Sequence, residues 1–270
     1  MKRTRRFVRE KKIHCGADYM EVDIIPRVES EDVKPGTRSK KEKVSAPKQR
    51  NLNDKNAKRY FVQLLNANFG KDDIHATLTY AKEFLPETIE EAEKEAANYI
   101  RRISYRRKKE GLPPLKYILV TEYSTGKGGE KPIRIHHHVI MNGGLDRDTI
   151  EDLWRKPKKK GQKKGEKIGF ANADRLQPDD YGLEALARYL MKNPNGKKRW
   201  SGSQNLIRPW SRNNDSKYTK KQIEKIARDE PDNMVFWWKQ YPGWLVTECK
   251  PEFNDITGWA IYLKLRRFKE

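Results

Sequence analysis

The stretch Ile133-Arg-Ile-His-His-His-Val-Ile-Met141 constrains this chain more than any other. It sets three of the five histidines among apolar residues that recur with a period of two. Strand side chains alternate between faces. An extended backbone therefore sends His136 and His138 one way, and His137 the other way with Ile135, Val139 and Met141. Two imidazoles two residues apart on one face can each give a neutral nitrogen to a divalent metal, with a third ligand from elsewhere. The plain alternative is a surface strand with a solvent-facing histidine pair.

The charge balance says what such a strand works on. Among 270 residues the formal net charge is +21 and the pI about 9.8, with 36% charged and 35% hydrophobic residues. That excess implies a polyanionic partner, nucleic acid ahead of anionic membrane. The chain has no run of ~18 apolar residues for a membrane span, and no apolar stretch follows its basic start to make a signal peptide. Cys15 and Cys249 are too few for a disulfide framework and lack zinc-site spacing. These features predict a cytosolic nucleic-acid-binding protein without a membrane partner.

Residues 1–50 read as a basic N-terminal arm, partly disordered, with one short strand-like segment at 20–25 closed by Pro26. From Asn51 a helix is expected, with Leu52, Ala57, Tyr60, Phe61, Leu64, Leu65 and Phe69 as its apolar stripe and Gly70 as its end. Residues 74–80 alternate as a strand, with His75, Thr77 and Thr79 on the face opposite Ile74, Ala76, Leu78 and Tyr80. Thr88 and Glu91 form a capping box for a second helix, whose buried stripe runs from Ile89 to Ile103. A strand at 115–123 and the histidine strand then look like a hairpin across a loop holding Gly126, Gly128 and Gly129.

Further on, Asp146 or Asp148 caps a short helix with Ile150, Leu153 and Trp154. Residues 156–165 are polybasic and read as a loop, 168–176 as a short strand, and 179–192 as a helix. The order predicts an α+β fold, an antiparallel sheet with helices packed on one side, close to a ferredoxin-like core. In the C-terminal part, 201–210 reads as strand or extended chain and 220–228 as an amphipathic helix. Residues 234–238 and 244–249 read as a strand pair, and 259–265 as strand or helix. Trp237, Trp238, Trp244 and Trp259 read as core packing rather than a base-stacking platform. The expected division is 1–50 arm, 51–210 catalytic domain and 211–270 extension packing on the core.

Glu122 shares a strand face with Ile118 and Val120, so antiparallel pairing would bring it beside His136 and His138. Two imidazoles and a carboxylate make an open site for Mg²⁺ or Mn²⁺. On the 179–192 helix, at ~100° per residue, Leu183, Leu186, Ala187 and Leu190 cluster on one face. Tyr189 and Lys192 lie about 60° apart on another. A tyrosine hydroxyl beside a metal can attack a phosphodiester, and a lysine can steady the developing charge. Taken alone, the tyrosine is equally a packing residue.

Three motifs in order resemble the HUH endonucleases, specifically the rolling-circle replication initiators of phages and plasmids. His75-Ala-Thr-Leu-Thr-Tyr80 is similar to their first, Thr-rich strand motif. Ile135-His-His-His-Val-Ile140 is similar to their histidine–x–histidine metal motif, and Tyr189-Leu-Met-Lys192 to their catalytic tyrosine motif. Tyr117-Ile-Leu-Val-Thr-Glu122 and the helix with Leu153-Trp154 resemble the filamentous-phage-type branch. The resemblance covers roughly residues 51–210. It implies a DNA nicking and joining enzyme in which Tyr189 bonds the 5′-phosphate and frees a 3′-hydroxyl, with Lys192 assisting and Glu122, His136 and His138 holding the metal. It further implies Thr77, Thr79, Arg134 and Arg188 as DNA contacts, and single-stranded or origin hairpin DNA as substrate. Host helicase and polymerase follow as partners, in a bacterial cytoplasm. Position 185 is Ala where two-tyrosine members carry a second nucleophile, so a single-tyrosine enzyme is expected, with Tyr181 as backup nucleophile. No GxxxxGK[ST] pattern appears, so no fused helicase is expected. A relaxase or single-tyrosine transposase would share this chemistry. A non-catalytic nucleic-acid-binding domain would suit the charge but not the His–Glu–Tyr set, and a ribosome-associated basic protein suits seven tryptophans poorly.

Overall fold

The computed structural model describes residues 5–28, 47–124, 133–192 and 198–268. The expected hairpin glycines, the basic run 38–43 and the helix end near 193–194 lie outside them. In chain order the elements begin β1 (Arg6–Cys15), β2 (Tyr19–Val28), α1 (Pro47–Asn68), β3 (Ile74–Leu78), α2 (Ile89–Lys109), β4 (Tyr117–Ser124) and β5 (Ile133–Met141). They continue α3 (Arg147–Asp152), β6 (Ala171–Arg175), α4 (Glu184–Leu190), β7 (Ser201–Gly202) and β8 (Trp210–Asn214). The last are α5 (Lys220–Asp229), α6 (Met234–Gln240), β9 (Trp244–Asn254) and β10 (Gly258–Arg267). The fold is α+β with two five-stranded antiparallel sheets, as the pattern predicts. Among the described residues no helix is long and apolar enough to cross a membrane.

The chain divides into two compact units. One holds residues 68–178 and 183–206; the other holds 1–67, 179–182 and 207–270. Contacts thus group the two ends of the chain together, whereas the sequence suggested boundaries at 50 and 210.

In the unit of residues 68–178 and 183–206 the strand order is β6-β3-β5-β4-β7. One face carries Ile74, Ala76, Leu78, Leu119, Val139 and Met141, which pack with Ala92, Ala96, Tyr99 and Ile103 of α2 and with Ile150 and Trp154. This apolar contact is the main driving force for the unit. Thr88 caps α2 by accepting from the Glu91 N–H. The reciprocal bond goes one residue further back than a capping box requires: Glu91 accepts from the Glu87 N–H. Trp154 is buried edge-on against Tyr80 and Tyr99, and its indole N–H donates to the Thr79 carbonyl at 2.7 Å. Gly169 passes so close to β3 that a Cβ there would stand 2.2 Å from the Thr79 carbonyl oxygen.

The helix expected over 179–192 is shorter. Asp179 and Gly182 exchange two backbone hydrogen bonds, a tight turn made possible by Gly182 at φ 71°. The helix therefore starts only at Glu184. Its buried residues Ala187 and Leu190 belong to the expected stripe, while Tyr189 is exposed.

The other unit corrects the reading of the N-terminus. Residues 6–28 are not an arm with one short strand but a full hairpin, paired from Arg6↔Val28 to Cys15↔Tyr19, in a sheet ordered β8-β1-β2-β10-β9. The strand is masked in the sequence because a charged residue, Glu10, takes an inward position with Val8. Lys217 Nζ and the Tyr241 hydroxyl each donate to its carboxylate at 2.8 Å. On β2, Glu21 and Asp23 are also buried, and Arg59 of α1 donates to both at 2.6 Å. Residues 234–240 form a helix rather than a strand, because Asn233 caps it by accepting from the Phe236 N–H. β9 pairs instead with β10, which settles residues 259–265 as strand. Trp237 lies in the core with Trp244 and Trp259 packed against it, while Trp238 is exposed.

Truncation of Trp154 removes both the largest buried side chain of its unit and a buried hydrogen bond. Trp154→Ala is expected to cost about 3–5 kcal/mol, whereas Val235→Ala, at an exposed position of α6, should stay within about 0.5 kcal/mol. Urea unfolding of both variants checks this; equal midpoints would contradict the packing described.

Candidate functional site

The site is built by register. Across β4 and β5, Glu122 opposes His136, Thr121 opposes His137 and Val120 opposes His138; across β3 and β5, Thr77 opposes His138. Directly opposed residues project to the same face of a sheet. Glu122, His136, His138 and Thr77 therefore share the face away from α2, while His137 points into the core. Just beyond Glu122 the β4–β5 register shifts, as at a β-bulge, a device that re-aims side chains beside sites.

One carboxylate oxygen of Glu122 lies 3.3 Å from His136 Nε2 and 3.7 Å from His138 Nε2. One ligand atom from each of the three residues falls within 4.8 Å of the others. His136 Nδ1 lies 2.9 Å from the Arg134 carbonyl, which can only accept. Nδ1 therefore carries the proton, and in the neutral ring Nε2 keeps a lone pair toward Glu122. His138 Nε2 is buried with no hydrogen-bond partner. Burial, and then the neighbouring His75, His136 and His137, push His138 down to about 3, so it is a neutral ring. Two nitrogen lone pairs aimed at one carboxylate gain nothing from each other, but a cation between them satisfies all three. The donor set fits a divalent metal with open positions.

His137 is held differently. Its ring is fully buried, with Thr121 Oγ1 2.9 Å from Nδ1 and the Tyr80 hydroxyl 2.8 Å from Nε2. Burial pushes it down to about 3 as well. Both nitrogens are engaged, so it has none to offer a metal.

Tyr189 reaches the site from α4. Its ring stands edge-on to His138, centroids 5.6 Å apart at 78°. Lys192 is exposed in the turn after the helix, where its N–H donates to the Tyr189 carbonyl. Of the residues expected to contact DNA, Thr77 Oγ1 lies 3.3 Å from His138 Nδ1, and Thr79 donates to the Phe170 carbonyl at 3.1 Å. Arg134 donates to the Tyr80 carbonyl at 2.8 Å, and Arg188 pairs with Glu184 one turn back. Tyr181 is not on the helix; it sits in the 179–182 turn and groups with the other unit. The sequence reading gave no role to His75, whose Nε2 is 3.1 Å from His138 Nδ1. The alternation of β3, which puts His75 on the same face as Thr77, was the available signal.

Residues 73–194 match a family model described as replication-associated protein, ORF2 type. The matched stretch contains β3, the Glu–His–His group and Tyr189, and it supports a replication-initiator type of protein. No curated protein and no solved structure matches the chain.

Titration of the protein with Mn²⁺, followed by calorimetry, checks the donor set. Glu122→Gln and His136→Ala are expected to weaken binding at least about 10-fold, given the loss of one of three ligands. Affinities equal to the unsubstituted protein would exclude these residues as ligands.

Proposed function

We propose that this chain is a metal-dependent DNA nicking and joining enzyme of the HUH type that initiates rolling-circle replication. The observation that carries the reading is the edge-on contact of Tyr189 with His138, within a group that also holds Glu122 and His136. Its similarity to a replication-associated family over residues 73–194 supports the biological setting.

The chemistry follows from the groups present. The Tyr189 hydroxyl oxygen attacks the scissile phosphorus, an O–P bond forms, and the bond from phosphorus to the 3′ oxygen breaks. The tyrosine proton leaves to water and the departing 3′ oxygen takes one up, so the step yields a 5′-phosphotyrosine and a free 3′-hydroxyl. Reversal with a second 3′-hydroxyl rejoins the strand. A divalent cation, Mg²⁺ or Mn²⁺, held by Glu122, His136 and His138 would polarise the phosphate. Lys192, two residues from the end of α4, suits the charge that develops on the phosphate oxygens. Exposed Lys158, Lys159, Lys160 and Lys163, on the loop before β6, suit the flanking phosphates.

Incubation with single-stranded origin DNA and Mn²⁺, followed by denaturing electrophoresis, tests this. The unsubstituted protein should form a covalent adduct that carries the 5′ end, and Tyr189→Phe none. An adduct that survives in Tyr189→Phe moves the nucleophile elsewhere, with Tyr181→Phe as the next variant. Absence of any adduct while DNA is still bound favours a non-catalytic DNA-binding protein. A relaxase or transposase would give the same adduct on different DNA, so origin and transfer-site oligonucleotides are compared.

A further inference from the structure

His138 is the most deeply buried of the three grouped residues, and its ring is met from behind by another imidazole. His75 Nε2 lies 3.1 Å from His138 Nδ1, the ring centroids 5.2 Å apart. Between two neutral imidazoles this contact has two arrangements. In one, His138 Nδ1–H donates to a lone pair on His75 Nε2; in the other, His75 donates and His138 carries its proton on Nε2. The second would place an N–H at the buried nitrogen that has no partner and stands 3.7 Å from Glu122, beyond hydrogen-bonding distance. The first satisfies every atom if the lone pair on Nε2 is used by a ligand. It also requires the proton of His75 on Nδ1, a form favoured by a negative charge nearby. Asp174 opposes His75 directly across β3 and β6.

The geometry points to His75 as a positioning residue that accepts the Nδ1–H of His138 and so fixes the tautomer whose Nε2 lone pair faces Glu122 and His136. Thr77 Oγ1, at 3.3 Å from the same nitrogen, shares that proton without replacing His75. Outer hydrogen bonds of this kind hold a ligating ring and raise its basicity. The role rests on the metal reading proposed above, but the tautomer is a property of the metal-free protein.

The test uses full-length protein labelled with ¹⁵N in its histidines. In the metal-free state the ring spectrum of His138, assigned by its loss in His138→Gln, should show protonated Nδ1 and bare Nε2. In His75→Ala that preference should be lost and Mn²⁺ affinity should fall about 10–100-fold. His75→Gln, whose amide oxygen can accept the same hydrogen bond, should restore both, and His75→Phe, which fills the space without an acceptor, should restore neither. Circular dichroism of all variants monitors folding. An unchanged His138 tautomer in both His75→Ala and His75→Phe overturns the proposal. A tautomer that depends on His75 in a protein that binds no Mn²⁺ upholds the positioning role and removes the metal reading instead.

Discussion

The direct opposition of Glu122 and His136 across β4 and β5 is the constraint on which the site depends. Three polar groups converge there because two strands are in one register and no other. A slip of one residue would turn every side chain of β5 to the other face, taking two imidazoles into an apolar core and bringing one out. The middle histidine makes that slip costly. His137 is gripped from both ring nitrogens by Thr121 and Tyr80, partners found only in the observed register. A residue that offers nothing to a metal thus holds in place the two that do.

The same sheet separates the work of its faces. Trp154, Tyr99 and the α2 stripe fill one side with large rigid groups, and the other is left for chemistry. Strands rather than loops carry Glu122, His136 and His138, so packing the back of the sheet fixes the ligand positions at its front. Only Tyr189 comes from elsewhere, and the buried side of α4 through Ala187 and Leu190 sets its direction. Rigid donors and a nucleophile on a separate short helix suit a reaction in which the nucleophile becomes covalently loaded.

Period-two patterning made the centre of this unit legible from sequence, because β3, β4 and β5 each obey it and a face is all that it has to specify. Glu122 was placed by hairpin logic, and Tyr189 by its place opposite the apolar stripe of α4. Other features resisted for physical reasons. The β1 strand hides its alternation behind Glu10, whose partners Lys217 and Tyr241 lie more than 200 residues away in sequence. The start of α4 depends on the backbone of Gly182 rather than on any capping side chain. For residues 234–240 a run of aromatic and branched residues favours strand locally, yet the Asn233 cap and the burial of Trp237 make a helix. His75 showed its face in the sequence but not its neighbour, since a contact across two strands needs both registers at once.

The way the two sheets are threaded has a consequence for how the chain emerges from the ribosome. The sheet that carries the histidines draws its strands from residues 74 to 202 and can close once that stretch has been made. β2, by contrast, pairs on one side with its hairpin partner and on the other with β10, from Ile24↔Ile261 to Tyr19↔Arg266. Until the last strand is synthesised, the edge bearing Met20, Val22 and Ile24 has no neighbour. Long-range pairing of this kind is slow to form, and an apolar edge left open invites pairing with other chains. The buried carboxylates Glu21 and Asp23 on that strand make it a poor template for a foreign strand until Arg59 is in place. Charge inside a β-strand, which conceals it from a reader of the sequence, would then protect it during its long wait for a partner.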